Sequence, residues 1–342
     1  MRQAISQPLQ ATRVLGLDIG GANIKAAHSH GSTVHQPFAL WKYPGKLAAT
    51  LGELVRELPS FDRLAVTMTG ELCDCFATKR GGVHAILNAV QSVAPSIPIR
   101  VWQTEGRFVD AGVARKKPLQ TAAANWLALA AFAGRFFADQ SGLVMDVGST
   151  TTDIIPIFHG KAVPQGRTDR ERLQSRELIY SGVRRTPLCA LLGSEGAAEF
   201  FATTHDVHVI LGNTAEDEAD CDTADGRPAT RPFALARLAR MVGADQENIS
   251  QGELLRLAEK LFGRQRGLIQ EGFRRVADRL PEPPRVLVIS GSGEFLARAA
   301  ISAEPDLATL SVLSWSDSLG KEISRVACAY AVMMLAREEE HG

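Results

Sequence analysis

Residues Leu143–Ile155, with the sequence LVMDVGSTTTDII, form the most informative stretch of the chain. An apolar run reaches Asp146, Gly148 opens a turn, hydroxyl side chains follow, and a second apolar run begins after Asp153. This pattern predicts two buried strands joined by a tight turn. Glycine lets the backbone approach a ligand closely, and the amides and hydroxyls of such a turn can donate to phosphate oxygens. Asp146, at the carboxyl end of its strand, could hold a Mg²⁺-bound water on that phosphate.

A second stretch, Val14–Ala27, repeats the pattern as VLGLDIGGANIKAA, with Asp18 before the glycines. A single Asp-x-Gly-Ser motif is also typical of an ordinary hairpin turn whose Thr and Asp side chains bond their own backbone. Two such hairpins in one chain favour phosphate binding over the ordinary turn.

The paired hairpins resemble the phosphate loops of the actin, sugar kinase and Hsp70 ATPase superfamily. A third element supports the resemblance: Val286–Ala297, VLVISGSGEFLA, places Gly291 and Gly293 where the superfamily packs adenosine. The resemblance implies an α/β protein with two ribonuclease-H-like domains around a central phosphate-binding cleft. We expect a flexible tail over 1–12, the first domain over 13–140, the second with substrate insertions over 141–318, and a closing helix over 319–342 that packs back towards the first domain.

Composition sets further expectations. The 342 residues are 45% hydrophobic and 22% charged, with a formal net charge of zero. Neutrality argues against electrostatic capture of nucleic acid or an anionic membrane. No apolar run is long enough to span a bilayer, the first residues lack the apolar core of a secretory signal, and the five cysteines are scattered. We expect a cytoplasmic protein that acts on small molecules, with a homo-oligomer as an open option.

Several segments outside the hairpins also receive predictions. Glu71 follows a predicted strand over 63–68, where open α/β sheets place ligands, although it could equally be a helix-start acid. Lys79 and Arg80 precede two glycines in a predicted loop that could clamp an anion or be a solvated turn. One buried helix is predicted over 121–137, and Asn125 near its start could face the cleft or bond the backbone.

The stretch 166–185 carries six arginines, for which a solvated helix face is the default interpretation. Its end, 180–187, is predicted to be a loop, where Arg184 and Arg185 suit carboxylates or phosphates. A strand is predicted over 207–211. The acidic segment 215–228 is expected to be a disordered, solvated loop, with Mg²⁺ binding as the alternative.

The combined motifs are similar to the hydantoinase/oxoprolinase-related branch of the superfamily, in a group linked to tetrahydromethanopterin-dependent one-carbon transfer and methanofuran biosynthesis. They include MTGELCDCFATKRGGV, TAAANWLALA, ELIYSGVRRTPLCAL and DTADGRP. The resemblance implies a transferase that condenses an aminomethylfuran diphosphate with the phenol of a γ-glutamyltyramine or tyrosine-type substrate and releases diphosphate. It implies Mg²⁺ as a cofactor, with ATP or ADP possible but not required.

The resemblance also suggests site roles. Metal ligands would be Asp18 and Asp146. The phosphate would be cradled by Gly20, Gly21, Lys25, Gly148, Ser149, Thr150 and Thr151. Catalytic candidates are Glu71 as the base for the phenol, then Asp153, and Asn125. Substrate-binding candidates are Arg184, Arg185, Lys79, Arg80, Gly291 and Gly293.

Two alternatives stay open at this point. An ATP-dependent small-molecule kinase is favoured by the glycines at 291 and 293, although no Asp base stands beside Asn125. A non-catalytic nucleotide-binding regulator is supported by fold precedent alone.

Overall fold

The computed structural model describes residues 12–137, 139–302 and 310–339. The chain divides into two compact units, the first formed by residues 1–133 with 326–342 and the second by residues 134–325. These divisions differ from the predicted boundaries, which fall after residues 140 and 318. The predicted tail over 1–12 lies outside the described residues, except for Thr12.

The strands belong to two sheets. In chain order they are β1 (Val14–Ile19), β2 (Asn23–His28), β3 (Thr33–Pro37), β4 (Arg63–Met68), β5 (Ile99–Gln103), β6 (Arg107–Asp110), β7 (Ser141–Val147), β8 (Thr152–Phe158), β9 (Lys161–Ala162), β10 (Leu178–Ile179), β11 (Val286–Ser290) and β12 (Ser311–Ser314).

The helices flank these sheets or pack on one another. They are α1 (Leu47–Glu57), α2 (Lys79–Val93), α3 (Ala111–Lys116), α4 (Pro118–Thr121), α5 (Asn125–Ala133), α6 (Asp169–Ser175), α7 (Leu188–Leu192), α8 (Thr204–Ile210), α9 (Arg231–Arg240), α10 (Gln251–Ala277), α11 (Glu294–Ser302), α12 (Trp315–Ser318), α13 (Lys321–Arg325) and α14 (Ala327–Glu338). Short 3₁₀ turns cover Pro44–Lys46, Gly70–Leu72, Gly134–Phe136 and Gly193–Glu195. In the part of the chain that is described, no helix is both long and apolar enough to cross a bilayer.

The two sheets share a pattern. In the first unit the order is β3-β2-β1-β4-β5-β6, where β1 pairs antiparallel with β2 and parallel with β4. In the second unit the order is β10-β8-β7-β11-β12, where β7 pairs antiparallel with β8 and parallel with β11. Each predicted phosphate hairpin is therefore an antiparallel pair whose first strand also pairs in parallel with a later strand of the same sheet. The predicted α/β class is confirmed, and both of its sheets are mixed.

Alternation along the strands builds a core on each face of the first sheet. Leu15 and Leu17 pack in a core with α1 and α2, whereas Val14 packs on the other face with side chains of α5 and α14. In the second unit, α10 and α11 cover the sheet, and α10 also forms a separate core with α7, α8 and α9. Helix α10 thus links the sheet to this helical region.

The predicted strand over 207–211 is wrong, because most of this segment lies in helix α8. Thr203 and Asp206 form a capping box at its start, and the residues of the helix are all buried. A short apolar segment buried on every side has no periodicity that separates strand from helix.

Two predicted long helices are interrupted. The helix expected over 121–137 breaks at residues 122–124, where Ala123 has φ of +48°, and α5 resumes at Asn125. The helix expected at the C-terminal end is divided at Gly320, with φ of +100°, and at Val326, whose ψ of 27° is not helical. Local propensity does not reveal these breaks, because tertiary packing imposes them.

Two predicted loops also differ. Lys79 and Arg80 lie in the first turn of α2, because Thr78 accepts a hydrogen bond from the Gly81 amide and caps the helix. The acidic segment is not disordered: Asp217 pairs with Ala229 in an isolated bridge, and Asp225 accepts from buried Arg237 at 2.9 Å.

Candidate functional site

The second hairpin is closed by a hydrogen bond from the Gly148 amide to the Thr151 carbonyl oxygen at 2.9 Å. Asp146 lies just before this turn and is 8% exposed. Its Oδ1 accepts from the Ser290 hydroxyl on β11 at 2.6 Å. This hydrogen bond fixes the carboxylate, whereas Ser149 and Thr150 in the turn stay partly exposed. The turn thus presents amides and hydroxyls beside an oriented carboxylate.

The glycine turn after β11 packs against the end of β7. The Gly293 amide donates to the Val147 carbonyl oxygen at 2.9 Å, and a side chain at residue 293 would collide with Val147. Gly291 has φ of +93°, a conformation that favours glycine. Both glycines therefore have a packing role within the second unit, and their predicted contact with substrate stays a prediction.

The segment 181–186 lies directly against the second hairpin. The amide of Val183 donates to the Gly148 carbonyl oxygen at 3.0 Å, and the amides of Arg184 and Arg185 both donate to that of Ser149, at 2.9 and 3.0 Å. The structure therefore brings together the phosphate loop and the arginine pair, which the sequence analysis predicted as separate parts of one site.

The Arg184 side chain connects this segment to the acidic segment. Its guanidinium forms an ion pair with Asp220 at 2.7 Å and lies 3.4 Å from Nε2 of His205. The pKa of His205 is lowered to about 4, mainly because the side chain is buried and secondly because of the positive charge of Arg184. Neutral imidazole can accept a hydrogen bond from the arginine, which fits this arrangement.

Asp153 is held in a buried ion pair. It faces Asp146 across the β7–β8 ladder, and its Oδ1 accepts from the Arg172 guanidinium at 2.7 Å. Burial raises the pKa of Asp153, while Arg172 opposes this shift. The pair orients Asp153 and neutralises one of two adjacent carboxylates, so a structural role competes with the predicted catalytic one.

The first hairpin repeats the geometry of the second. The Gly20 amide donates to the Asn23 carbonyl oxygen at 2.9 Å, and Asp18 is 4% exposed. Lys25 lies directly opposite Asp18 in the β1–β2 register, the position that Asp153 occupies in the second hairpin. Opposed residues of an antiparallel pair share a face, so the first unit places a cation beside its aspartate. Gly21, also predicted to contact phosphate, lies in this turn.

Glu71 follows β4 in the 3₁₀ turn Gly70–Leu72 and is 1% exposed. Thr69, two residues earlier, donates its amide to the Ile19 carbonyl oxygen at 3.0 Å, which fixes this connection beside the first hairpin. Lys79 and Arg80 then start α2. The structure thus places the candidate base at the carboxyl end of a strand next to the predicted phosphate turn of its own unit.

Asn125 bonds the backbone at the start of α5. Its Oδ1 accepts from the Trp126 amide at 2.8 Å, and its Nδ2 lies 3.6 Å from Sγ of Cys328 on α14. These contacts fit the interpretation of Asn125 as a first-turn residue that bonds the backbone.

The residues fit a Mg²⁺ ion that keeps most of its water ligands. Within the described ranges, no group of three or more His, Cys, Asp or Glu side chains is arranged to hold a metal ion. Mg²⁺ commonly keeps several waters and is held by one or two carboxylates together with substrate phosphates. Asp146, and separately Asp18, each offer one such carboxylate beside a phosphate-type turn.

Comparison with known proteins identifies the family. The profile of the hydantoinase/oxoprolinase family matches residues 62–336. The chain belongs to this family. The (4-{4-[2-(gamma-L-glutamylamino)ethyl]phenoxymethyl}furan-2-yl)methanamine synthase of Methanocaldococcus jannaschii is 34% identical over 337 residues, which cover 95% of this chain and 98% of that protein. The protein of the same name from Methanococcus vannielii is 32% identical over 209 residues, 59% of this chain and 93% of that protein.

A solved structure is also similar. Component A of the (R)-2-hydroxyglutaryl-CoA dehydratase of Acidaminococcus fermentans aligns with a TM-score of 0.46 and 10% identity, over 97% of this chain and 100% of that one.

In this member of the hydantoinase/oxoprolinase family, sequence reasoning missed the buried residues that fix the segment 181–186. Thr152 donates its hydroxyl to the Ser181 carbonyl oxygen at 2.7 Å, and Thr204 donates to that of Gly182 at 2.8 Å. Gln265 on α10 donates to the same Gly182 oxygen at 2.8 Å. Gln265 carried a usable signal, since it interrupts the otherwise apolar stripe of Leu261 and Ile269 at helical spacing.

Proposed function

We propose that this chain is a transferase that joins an aminomethylfuran diphosphate to the phenol of a γ-glutamyltyramine or tyrosine-type substrate and releases diphosphate. The observation that carries the proposal is the 34% identity over 95% of the chain to a synthase whose name describes a phenoxymethylfuran product. Such a product contains an ether between a phenol oxygen and the methylene of a furan. On this proposal, the active site joins a furfuryl carbon to a phenol oxygen.

The reaction breaks the bond between the furfuryl methylene and the diphosphate oxygen, and the electron pair leaves with diphosphate. The furan oxygen stabilises positive charge that develops on this methylene. The phenol oxygen then forms the new carbon–oxygen bond, and its proton passes to a base. Because a free phenol has a pKa of about 10, a base near its oxygen assists this step.

The residues of each unit fit parts of this task. The turn after β7 offers amides and hydroxyls to diphosphate oxygens, with Asp146 beside them. Bound Mg²⁺ would supply charge neutralisation for the leaving group. Asp18, Gly20 and Lys25 offer a similar set in the first unit.

Two further roles belong to the proposal. Glu71 is the proposed base. Asp153 ranks second as a candidate base, because its carboxylate is already paired with Arg172. Arg184 and Arg185 would bind carboxylates of the phenolic substrate.

The test uses purified protein, Mg²⁺, the aminomethylfuran diphosphate and a tyramine-type phenol, without ATP. We expect one ether and one diphosphate for each turnover. If the phenol carries ¹⁸O, the label should stay in the ether, because the phenol oxygen attacks carbon. Strict dependence on ATP, or phosphate transferred to an acceptor hydroxyl, would instead support a kinase.

A further inference from the structure

Gln265 is a polar side chain inside the second unit, and it is 1% exposed. It lies on α10, where its neighbours on the buried face include Leu261 and Ile269. Burying an amide costs free energy unless its hydrogen-bonding groups find partners. The identity of its partners therefore indicates what this residue does.

The Gln265 side chain forms a hydrogen bond with His208 on α8, and it also binds one turn of the chain. Its Nε2 donates to the Gly182 carbonyl oxygen at 2.8 Å and to the Ser181 hydroxyl at 3.1 Å. Thr204 on α8 donates to the same Gly182 oxygen at 2.8 Å. One carbonyl oxygen thus receives two buried side-chain donors from two different helices.

Gly182 in turn lies against the phosphate-type hairpin. A Cβ at residue 182 would lie 2.6 Å from the Gly148 carbonyl oxygen and 2.7 Å from the carbonyl carbons of Ser149 and Thr150. Only glycine permits this approach. The next three amides, those of residues 183–185, donate to the carbonyl oxygens of Gly148 and Ser149.

These contacts form a continuous chain from α10 to the hairpin. The carbonyl oxygens of Gly148 and Ser149 accept hydrogen bonds from the amides of residues 183–185. That arrangement fixes the orientation of the peptide planes whose amides lie in the turn. A preorganised set of donors binds an anion more tightly than a set that must reorder on binding.

We propose that Gln265 and Thr204 are positioning residues that hold the 148–151 turn in its diphosphate-binding conformation through Gly182. This inference rests on the proposed function, which identifies the anion as a diphosphate. Inorganic diphosphate is therefore the probe in the test. Neither side chain is proposed to touch the anion.

The test replaces each residue by an apolar side chain of similar size, Gln265→Leu and Thr204→Val. We measure inorganic diphosphate affinity with Mg²⁺ by calorimetry and exchange of the backbone amides of residues 183–185 without ligand. Each variant should lower the affinity for diphosphate about three- to tenfold, which is equivalent to the loss of one hydrogen bond. Each should also speed the exchange of these amides. Gln270→Leu is the matched control, because Gln270 lies on the same helix and donates to the Ala300 carbonyl oxygen at 2.8 Å, away from the hairpin.

Wild-type affinity and amide exchange in either folded variant would overturn the inference, as would equal changes in Gln270→Leu. If Gln265→Leu does not fold, Thr204→Val decides the question by the same two measurements. Failure of the wild-type protein to form the ether would reject the proposed reaction. The exchange of amides 183–185 would still decide the positioning role, because it needs no substrate.

Discussion

The backbone amide of Arg184 donates to the carbonyl oxygen of Ser149 at 2.9 Å. This hydrogen bond joins an arginine-bearing segment to the turn of a phosphate-type hairpin. The position of one segment is therefore fixed in part by the other. The Arg184 guanidinium extends the connection, since it pairs with Asp220 in the acidic segment.

Asp146→Asn and Asp18→Asn should each abolish Mg²⁺-diphosphate binding while the protein stays folded. Asparagine keeps the shape of the side chain and an oxygen acceptor, so the contact from Ser290 to residue 146 can persist. It removes the negative charge that favours a metal shell. Calorimetry measures the binding, and circular dichroism confirms the fold.

Asp317→Asn is the control for these variants, because Asp317 is an exposed carboxylate paired with Arg298. Near-normal binding in both hairpin variants would contradict the phosphate-site assignment.

Arg184→Ala should weaken binding of the phenolic substrate by about 1.5–3 kcal/mol, the scale of a charge-assisted hydrogen bond. Asp220→Asn should also weaken binding of the phenolic substrate, because the ion pair with Asp220 orients the Arg184 guanidinium. The dissociation constant of the phenolic substrate is the measurement, with diphosphate affinity determined in parallel.

Arg240→Ala serves as the matched control, since the Arg240 side chain is exposed and donates to the Ala236 carbonyl oxygen of its own helix. A loss confined to diphosphate would assign Arg184 to the other substrate.

Asp153→Asn should reduce the free energy of unfolding by about 3–5 kcal/mol, because it leaves buried Arg172 without its counter-charge. The Arg172 side chain is 1% exposed, so water cannot replace the lost carboxylate. Urea denaturation followed by circular dichroism measures this change.

Asp317→Asn again provides the comparison, and its exposed pair should contribute less than about 1 kcal/mol. A similarly small effect at Asp153 would show that its ion pair has little structural weight.

The stability of the second unit should depend on the protonation of two histidines. Burial lowers the pKa of His205 and of His208 to about 4. In the unfolded chain histidine titrates near 6.5, so the unfolded state binds the proton more readily. Their contribution to the free energy of unfolding is therefore present above about pH 6.5 and is lost as the pH falls towards 4. The unfolding free energy should change by up to about 1.4 kcal/mol per pH unit for each histidine.

His205→Gln should reduce the slope of unfolding free energy between pH 6.5 and pH 4.5 relative to wild type. The comparison between variants removes the contributions of carboxylates common to both proteins. An unchanged slope in His205→Gln would contradict the burial argument.

Gly293→Ala should destabilise the protein by about 1–3 kcal/mol even without any ligand, because the added methyl group would collide with Val147. Gly263→Ala is the control, since no atom lies within 4 Å of the added group in helix α10. That change should stabilise the helix by about 0.5–1 kcal/mol. Unchanged stability in Gly293→Ala would argue that this glycine has no packing role.

The two hairpins and the glycine turn after β11 were predictable from the sequence. Each depends on a strand pattern and turn residues that are neighbours in the chain, such as Asp146 and Gly148. The hydantoinase/oxoprolinase family was also identified from such local motifs, and the profile match confirms it. Local patterns are visible in a single sequence because short-range geometry determines them.

Local patterns were less informative where burial was complete or long-range contacts dominated. The segment 207–211 was predicted as a strand, since a short run buried on all sides has no distinguishing period. The link from Gln265 through Gly182 to Ser149 involves residues far apart in the chain. Only the tertiary structure could place them together, because hydrogen bonds between distant segments depend on how α10 packs on the sheet, and no spacing along the sequence encodes that packing.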